Sequence, residues 1–399
     1  MEIQHLDETD YLNGRNDEIL ARVIELCDIN SGTGNLEGIA SVSEKLVHWY
    51  SELGAEFQEV ALPPRESINT RGEKELEPLG SALHFVKRPE QHPRALLCIH
   101  MDTVYQPTHV FQKCRTLEDG RINGPGVADA KGGLLVMLYA LLALENSSVA
   151  SKIGWEVIIN PDEELGSPSS HDFLRQRAEQ ADWGLLFEPT LPDGTLVSWR
   201  KGTGNFDFVV RGTSAHSGRA FEDGRNAIVA LSEMLCEIHD LNGSPDVTYN
   251  VGRVEGGGPL NMVPELAIGR VNVRIKSLVD QGQVTANFDQ IAEKVAAKHE
   301  VEIERFGDFS SPPKELDVKT QELQRLIERC GDAFSLEVKW QGTGGASDGN
   351  KFLAAGLPNI DTLGPRGGDI HSTDEYLIAE SLEERAKLVA LILMNLNQI

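Results

Sequence analysis

The chain has 399 residues, 40% of them hydrophobic, which is more than one hydrophobic core normally organises and points to two domains. Its 62 acidic against 37 basic residues give a formal charge of -25, which disfavours nucleic acid and anionic membrane as partners. Five cysteines (Cys27, Cys98, Cys114, Cys236 and Cys330), widely spaced and without a C-x-x-C pair, argue against a disulfide framework or a thiolate zinc site.

The segment MEIQHLDETDYLNGRNDEIL lacks the basic stretch and apolar core of a secretory signal, so a cytoplasmic location is expected. The longest apolar run, LLVMLYALLAL at 134–144, is too short to span a bilayer. From residue 94 strands and helices alternate: strand RALLCIH, helix KGGLLVMLYALLALEN, strand GWEVIIN, helix SSHDFLRQRAEQ, strand DWGLLFE. That alternation predicts an α/β domain with a mostly parallel central sheet covered on both faces.

Beyond FEPTLPDGT the pattern changes to strand NFDFVVRG, helix NAIVALSEMLCEIHDL, strands VTYNVGRVEG and ELAIGRVNVRIKS, helix TANFDQIAEKVAAKHE and strand VEIERFG. Strand-helix-strand-strand-helix-strand is the split, ferredoxin-like order of an α+β unit. The segment DFSSPPKELD returns the chain to the first domain. Helix TQELQRLIERCGDAF, strand SLEVKW, a helix from about Ser347, strand LPNIDTL and a long terminal helix follow. The expected division is a first domain of 1–199 and 308–399 with 200–307 inserted as a lid-like unit.

In open α/β sheets ligands gather beyond the carboxyl ends of the strands. Here LLCIHMD ends in His100 and Asp102, GWEVIINPDEE in Glu163 and Glu164, and GLLFEP in Glu188. One such residue is more often structural than functional, but three strands ending alike outweigh that reading. Loops add Asp129 in GPGVADAKGG and His371 in GGDIHSTDE. Nitrogen and oxygen donors without thiolates suit Zn²⁺ first, then Co²⁺ or Mn²⁺.

Two divalent ions carry four charges, which three carboxylates and one hydroxide would balance. Asp129 between the ions, with His100 and Glu188 on one and Glu164 and His371 on the other, satisfies that count without fixing which ligand serves which ion. Asp102, two residues from His100 on an extended chain, can orient the imidazole. Glu163 is left over as a general base, and Asp162 as a turn former. Along 270–276 an alternating pattern puts Arg270, Asn272, Arg274 and Lys276 on one strand face, away from Val271, Val273 and Ile275.

The motifs HMDTVY, GPGVADAKGG, PDEELGS, FEPT, GTSAHSG, GGGPLNMVPE, GGASDGN and IHSTDEY, in this order and spacing, resemble the zinc-dependent metallopeptidase family of glutamate carboxypeptidase, acetylornithine deacetylase, succinyl-diaminopimelate desuccinylase and aminoacylase. The likeness spans essentially the whole chain and is greatest to bacterial glutamate carboxypeptidases. It implies a dizinc site with His100, Asp129, Glu164, Glu188 and His371 as ligands, Asp102 orienting His100, and Glu163 as base. It further implies a homodimer joined through the inserted domain, His216 supplied to the neighbouring subunit's site, and Asn261 with Arg274 binding substrate. The substrate would be a peptide or N-acyl amino acid bearing a free carboxylate. Ala130 stands where several members carry a second acid or a Met, and is expected to alter local shape more than metal binding.

Two other readings compete. GASDG, residues 345–349, fits the G-x-S-x-G elbow of a serine hydrolase, with Asp361 or Asp369 and then His371 following, but only 24 residues separate Ser347 from His371 and no HGGG-type segment is present. A metal-loaded peptide-binding module without turnover would not need Glu163. The GGG at 256–258 is a turn, and no P-loop pattern marks a nucleotide site.

Overall fold

The computed structural model describes residues 2–399. Two helices, α1 (Asn16–Cys27) and α2 (Leu36–Tyr50), lead into a six-stranded sheet built from β1 (Glu56–Ala61), β2 (Ser81–Lys87), β3 (Arg94–His100), β4 (Gly154–Asn160), β5 (Trp183–Leu186) and, much later, Asn359–Ile360. The spatial order is β1-β2-β4-β3-β5 with Asn359–Ile360 outermost; β4, β3, β5 and that last strand run parallel, and β2 antiparallel to β4. β3 and β4 are buried along their whole length, which is why they read as continuous rather than alternating apolar runs.

Helix α3 (Gly133–Glu145) is apolar all round and packs inside the core against the terminal helix Ser381–Asn395. With the preceding segment it forms the one described helix, Val127–Glu145, long and apolar enough to cross a membrane. It is wholly buried in the protein, as a core helix is.

After β6 (Leu196–Arg200) comes a second sheet: β7 (Gly202–Arg211), α5 following α4 (His171–Ala178) and spanning Ala227–Asp240, β8 (Thr248–Gly256), β9 (Leu266–Ile275), α6 (Leu278–His299) and β10 (Glu302–Ser311). Its order β8-β9-β7-β10 is antiparallel throughout. Val271, Val273 and Ile275 of β9 are buried with Phe206, Phe208 and Phe288 in its core, so Arg270, Asn272 and Arg274 occupy the opposite face. Helix α6 starts at Leu278, earlier than the predicted 285, because Ser277 and Asp280 form a capping box. The two connections between the sheets pair with each other, Arg200 N donating to Lys314 O and Lys314 N to Arg200 O, each at 3.0 Å.

One predicted strand is displaced. After α7 (Val318–Ala333), Ser335 turns left-handed (φ 59°) and Leu336 N closes back on Gly331 O, so SLEVKW begins as a helix-terminating turn. Pairing with β6 starts only at β11 (Trp340–Thr343), while Val338 packs on the core.

Candidate active site

Sheet register brings the acidic loops to one place. Cys98 of β3 pairs with Leu186 of β5, which sets His100 level with Glu188 two residues later. His100 itself pairs with Asn160, the last residue of β4, and the single turn Glu163–Leu165 follows directly. Asp129 comes from the irregular segment Val127–Gly132 ahead of α3, and His371 from a loop in which Asp369 and His371 are both left-handed (φ 53° and 62°).

His100 Nε2 lies 3.1 Å from Asp129 Oδ1 and 3.9 Å from Glu188 Oε1. His371 Nε2 lies 3.2 Å from both Asp129 Oδ2 and Glu164 Oε2. Asp129 therefore directs one oxygen toward each histidine, and each histidine also lies near a glutamate. The structure brings all five predicted ligands into one cluster.

Asp102 is fully buried; His100 Nδ1 hydrogen-bonds its backbone carbonyl at 3.0 Å and lies 3.3 Å from its Oδ1. The same carboxylate accepts the backbone N–H groups of Glu163 (3.2 Å) and Glu164 (3.3 Å) and the Thr33 hydroxyl (2.6 Å). Asp102 thus holds the imidazole, through its carbonyl and carboxylate, and the acidic turn, through its carboxylate. Asp162, also fully buried, accepts from Ser169 N, Ser170 N and Ser170 Oγ, holding the other end of that turn. Ala130 is buried beside Asp129, joined to it by a cis peptide bond.

The cluster is short of positive charge. Among the described residues no Lys or Arg forms an ion pair with Asp129, Glu163, Glu164 or Glu188; only histidines do. Burial, then the charge of Glu188, pushes the Glu163 carboxyl well above its usual range, and burial pushes Glu188 up to about 8. Hydrogen bonds to Asp129 and Glu164 push His371 up to about 11. Glu164 Oε1 is buried without any hydrogen-bond partner. Donor atoms of His100, Asp129 and Glu164 all lie within 4.8 Å of one another. An orphaned carboxylate oxygen, an imidazole and oxygen donors at that spacing, and uncompensated negative charge fit divalent cations.

A cavity of about 840 Å³ opens over the cluster, and its wall includes both Glu163 and Thr203, Asn205, Asn272 and Arg274 of the second sheet. Asn272 Oδ1 accepts from Arg274 Nε at 3.1 Å, and Arg274 has no ion-pair partner among the described residues. Two predicted residues are not brought in. His216 and Asn261 are exposed on loops of the second unit, tied to each other's neighbourhood by Ser217 N donating to Asn261 O, and neither lines the cavity.

The serine reading fails on geometry. Ser347 is buried at the start of α8 (Asp348–Ala354), accepting from Gly349 N and donating to Asp361, with no hydrogen bond to His371. Sequence reasoning missed Thr33, which has no local signal, and gave no role to Tyr105 and Glu375, although both lie inside quoted motifs.

Residues 96–395 match Peptidase family M20/M25/M40. The chain belongs to this family. Carboxypeptidase G2 of Pseudomonas sp. (strain RS-16) is 26% identical over 390 residues, covering 95% of this chain and 89% of that protein. Succinyl-diaminopimelate desuccinylase of Acidovorax ebreus (strain TPSY) is 24% identical over 308 residues, covering 74% and 75%. The fold is shared with YXEP of Bacillus subtilis, described as a dinuclear metal binding peptidase from the M20 family, at a TM-score of 0.68 and 15% identity over 96% of this chain and 98% of that one. This M20 chain is a metal-dependent hydrolase of the peptidase and amidohydrolase class, with His100, Asp129 and Glu164 as possible metal-binding residues.

Proposed function

We propose that the protein is a dizinc, carboxypeptidase-like amidohydrolase that works as a cytoplasmic homodimer on peptides or N-acyl amino acids ending in a free carboxylate. The observation that carries this reading is one cavity lined both by acids of the cluster, Glu163 among them, and by Arg274, whose guanidinium donates to Asn272 but has no acidic partner among the described residues. Zn²⁺ ions held by His100, Asp129, Glu164, Glu188 and His371, replaceable by Co²⁺ or Mn²⁺, would supply Lewis acidity and lower the pKa of water toward about 7.

Glu163 takes a proton from the attacking water as its oxygen bonds to the scissile carbonyl carbon, and delivers that proton to the amine as the C–N bond breaks. Arg274 fixes the substrate's carboxylate by charge-assisted hydrogen bonds. His216 and Asn261 would reach the cavity from a second copy of the chain, His216 donating to the oxyanion. Their exposure outside the chain's own cavity, beside exposed Leu260 and Met262, supports that arrangement. The desuccinylase relative favours a second reading, an N-acyl-amino-acid deacylase that uses the same groups.

The test is amine release from a panel of N-acyl amino acids and dipeptides, with and without a chelator. Chelator-sensitive release supports the assignment, and the preferred acyl group separates carboxypeptidase from deacylase; folded, metal-loaded protein that cleaves nothing overturns it in favour of a binding module. Mixing inactive Glu163→Ala and His216→Ala proteins under subunit exchange should restore activity in heterodimers. Proven exchange without recovery would exclude a His supplied by the second copy.

A further inference from the structure

Glu375 is a buried carboxylate that none of the steps above uses. It is 1% exposed and lies four residues beyond His371, yet its side chain turns away from the cavity into the loop that carries Asp129. Oε1 accepts the backbone N–H groups of Ala128 and Asp129, both at 3.1 Å, and Oε2 that of Gly126 at 3.2 Å. The Tyr105 hydroxyl lies 2.8 Å from Oε2 and 2.7 Å from the carbonyl oxygen of Ser372, the residue after His371. The backbone carbonyl of Glu375 is engaged as well, accepting from Gly124 N and from Asn123 Nδ2 at 2.7 Å.

These bonds join two loops that each bring one group to the cluster. Asp129 has to present one oxygen toward His100 and the other toward His371, and its own segment departs from helical geometry (φ -115°, ψ 89°), so no regular hydrogen-bond ladder fixes its orientation. Three N–H groups converging on one carboxylate do so instead, as a backbone nest holds an anion. Tyr105 then ties the same carboxylate to the His371 loop.

We infer that Glu375 is a positioning residue: by clamping Gly126, Ala128 and Asp129 through their N–H groups, with Tyr105 as its link to Ser372, it sets the bridging orientation of Asp129 between His100 and His371. Glutamine at 375 can accept from only one side. Its amide NH₂ would oppose either the Gly126 donor or the Ala128–Asp129 pair, so the segment relaxes although the side chain keeps its volume.

This inference rests on the metal reading above. The test is cobalt titration of chelator-stripped parent, Glu375→Gln and Tyr105→Phe proteins, following the visible cobalt absorption and the affinity against a competing chelator, with thermal unfolding of each stripped protein as the control for folding. Glu375→Gln should bind Co²⁺ roughly 10- to 100-fold more weakly with an altered spectrum, the range for removing a group that orients a metal ligand, and Tyr105→Phe should shift both in the same direction by less. A folded Glu375→Gln protein with parental affinity and spectrum overturns the inference. Should Glu375→Gln not fold, Tyr105→Phe decides, and parental behaviour there overturns it. A parent protein that binds no cobalt removes the metal reading itself, and this one with it.

Discussion

Two of the buried ionic clusters in the larger unit differ in whether the chain supplies ion-pairing Lys or Arg as counter-charge. At Asp361, Arg200 binds both carboxylate oxygens (2.8 and 3.0 Å), Lys314 Nζ lies 2.7 Å away and Ser347 Oγ completes the shell at 3.1 Å. Burial would raise this carboxyl, but the two cations hold it well below the usual range. Nearby, Asp348 is matched by Lys351 at 2.9 Å. The cluster of Asp129, Glu163, Glu164 and Glu188 has only histidines as ion-pair partners among the described residues, and the three glutamates are pushed upward. A compensated cluster needs nothing further and is structural; an uncompensated one persists where something external supplies charge. Arg200 and Lys314 are also the residues through which the two connections between the sheets pair, so the compensated cluster pins the joint between the parts of the chain that bring Arg274 and Glu163 to one cavity.

The contrast is tested most sharply by neutralising one acid in each cluster. Glu163→Gln should lower turnover by roughly 10²-fold to 10⁴-fold, the usual loss on removing a general base, while metal content and melting temperature stay near parental. Near-parental turnover would return Glu163 to a structural role. Asp361→Asn leaves Arg200 and Lys314 buried without their anion, and should cost about 3–5 kcal/mol in urea unfolding. Asp361 has a folded pKa below its unfolded value of about 3.9, so its contribution is complete above that value and is lost as pH falls through the folded one. The Asp361→Asn deficit should therefore be constant from about pH 6 to 8 and shrink only on acidification below about pH 4. A deficit that vanished near neutrality would contradict the pairing.

The same distinction explains what the sequence could reveal. β3 and β4 were legible from end to end because both faces are buried, and the clustering of the five candidate ligands because each follows a strand end or lies in a short polar motif. The start of α6 was also readable, since Ser277 and Asp280 have capping-box spacing, but apolar periodicity alone placed it seven residues late. The error at 335–340 has a local cause: alternation in LEVKW imitates a strand, whereas the left-handed Ser335 and the closure of α7 decide the backbone. The compensated cluster left no trace in the pattern, because its partners come from positions 161 and 47 residues apart. Glu375 escaped for a related reason, since it binds backbone N–H groups, which any sequence possesses.

The smallest effect belongs to the residue that imitates a catalyst. Ser347 lies in a G-x-S-x-G motif, but its oxygen accepts Gly349 N at 3.2 Å as a helix cap and donates to the Asp361 cluster. Ser347→Ala removes the cap acceptor and one of four donors to Asp361, leaving both cations in place. Its cost should be about 1 kcal/mol of stability, the usual value for losing an N-cap side chain. Turnover should stay parental, because the side chain belongs to the compensated cluster and does not line the cavity. A serine-directed phosphonate should likewise leave the wild-type chain active. Loss of turnover in Ser347→Ala at unchanged metal content would show that the two clusters are coupled through the joint at Arg200 and Lys314; stoichiometric phosphonate inactivation at Ser347 would show instead that charge compensation is no guide to which cluster does the chemistry.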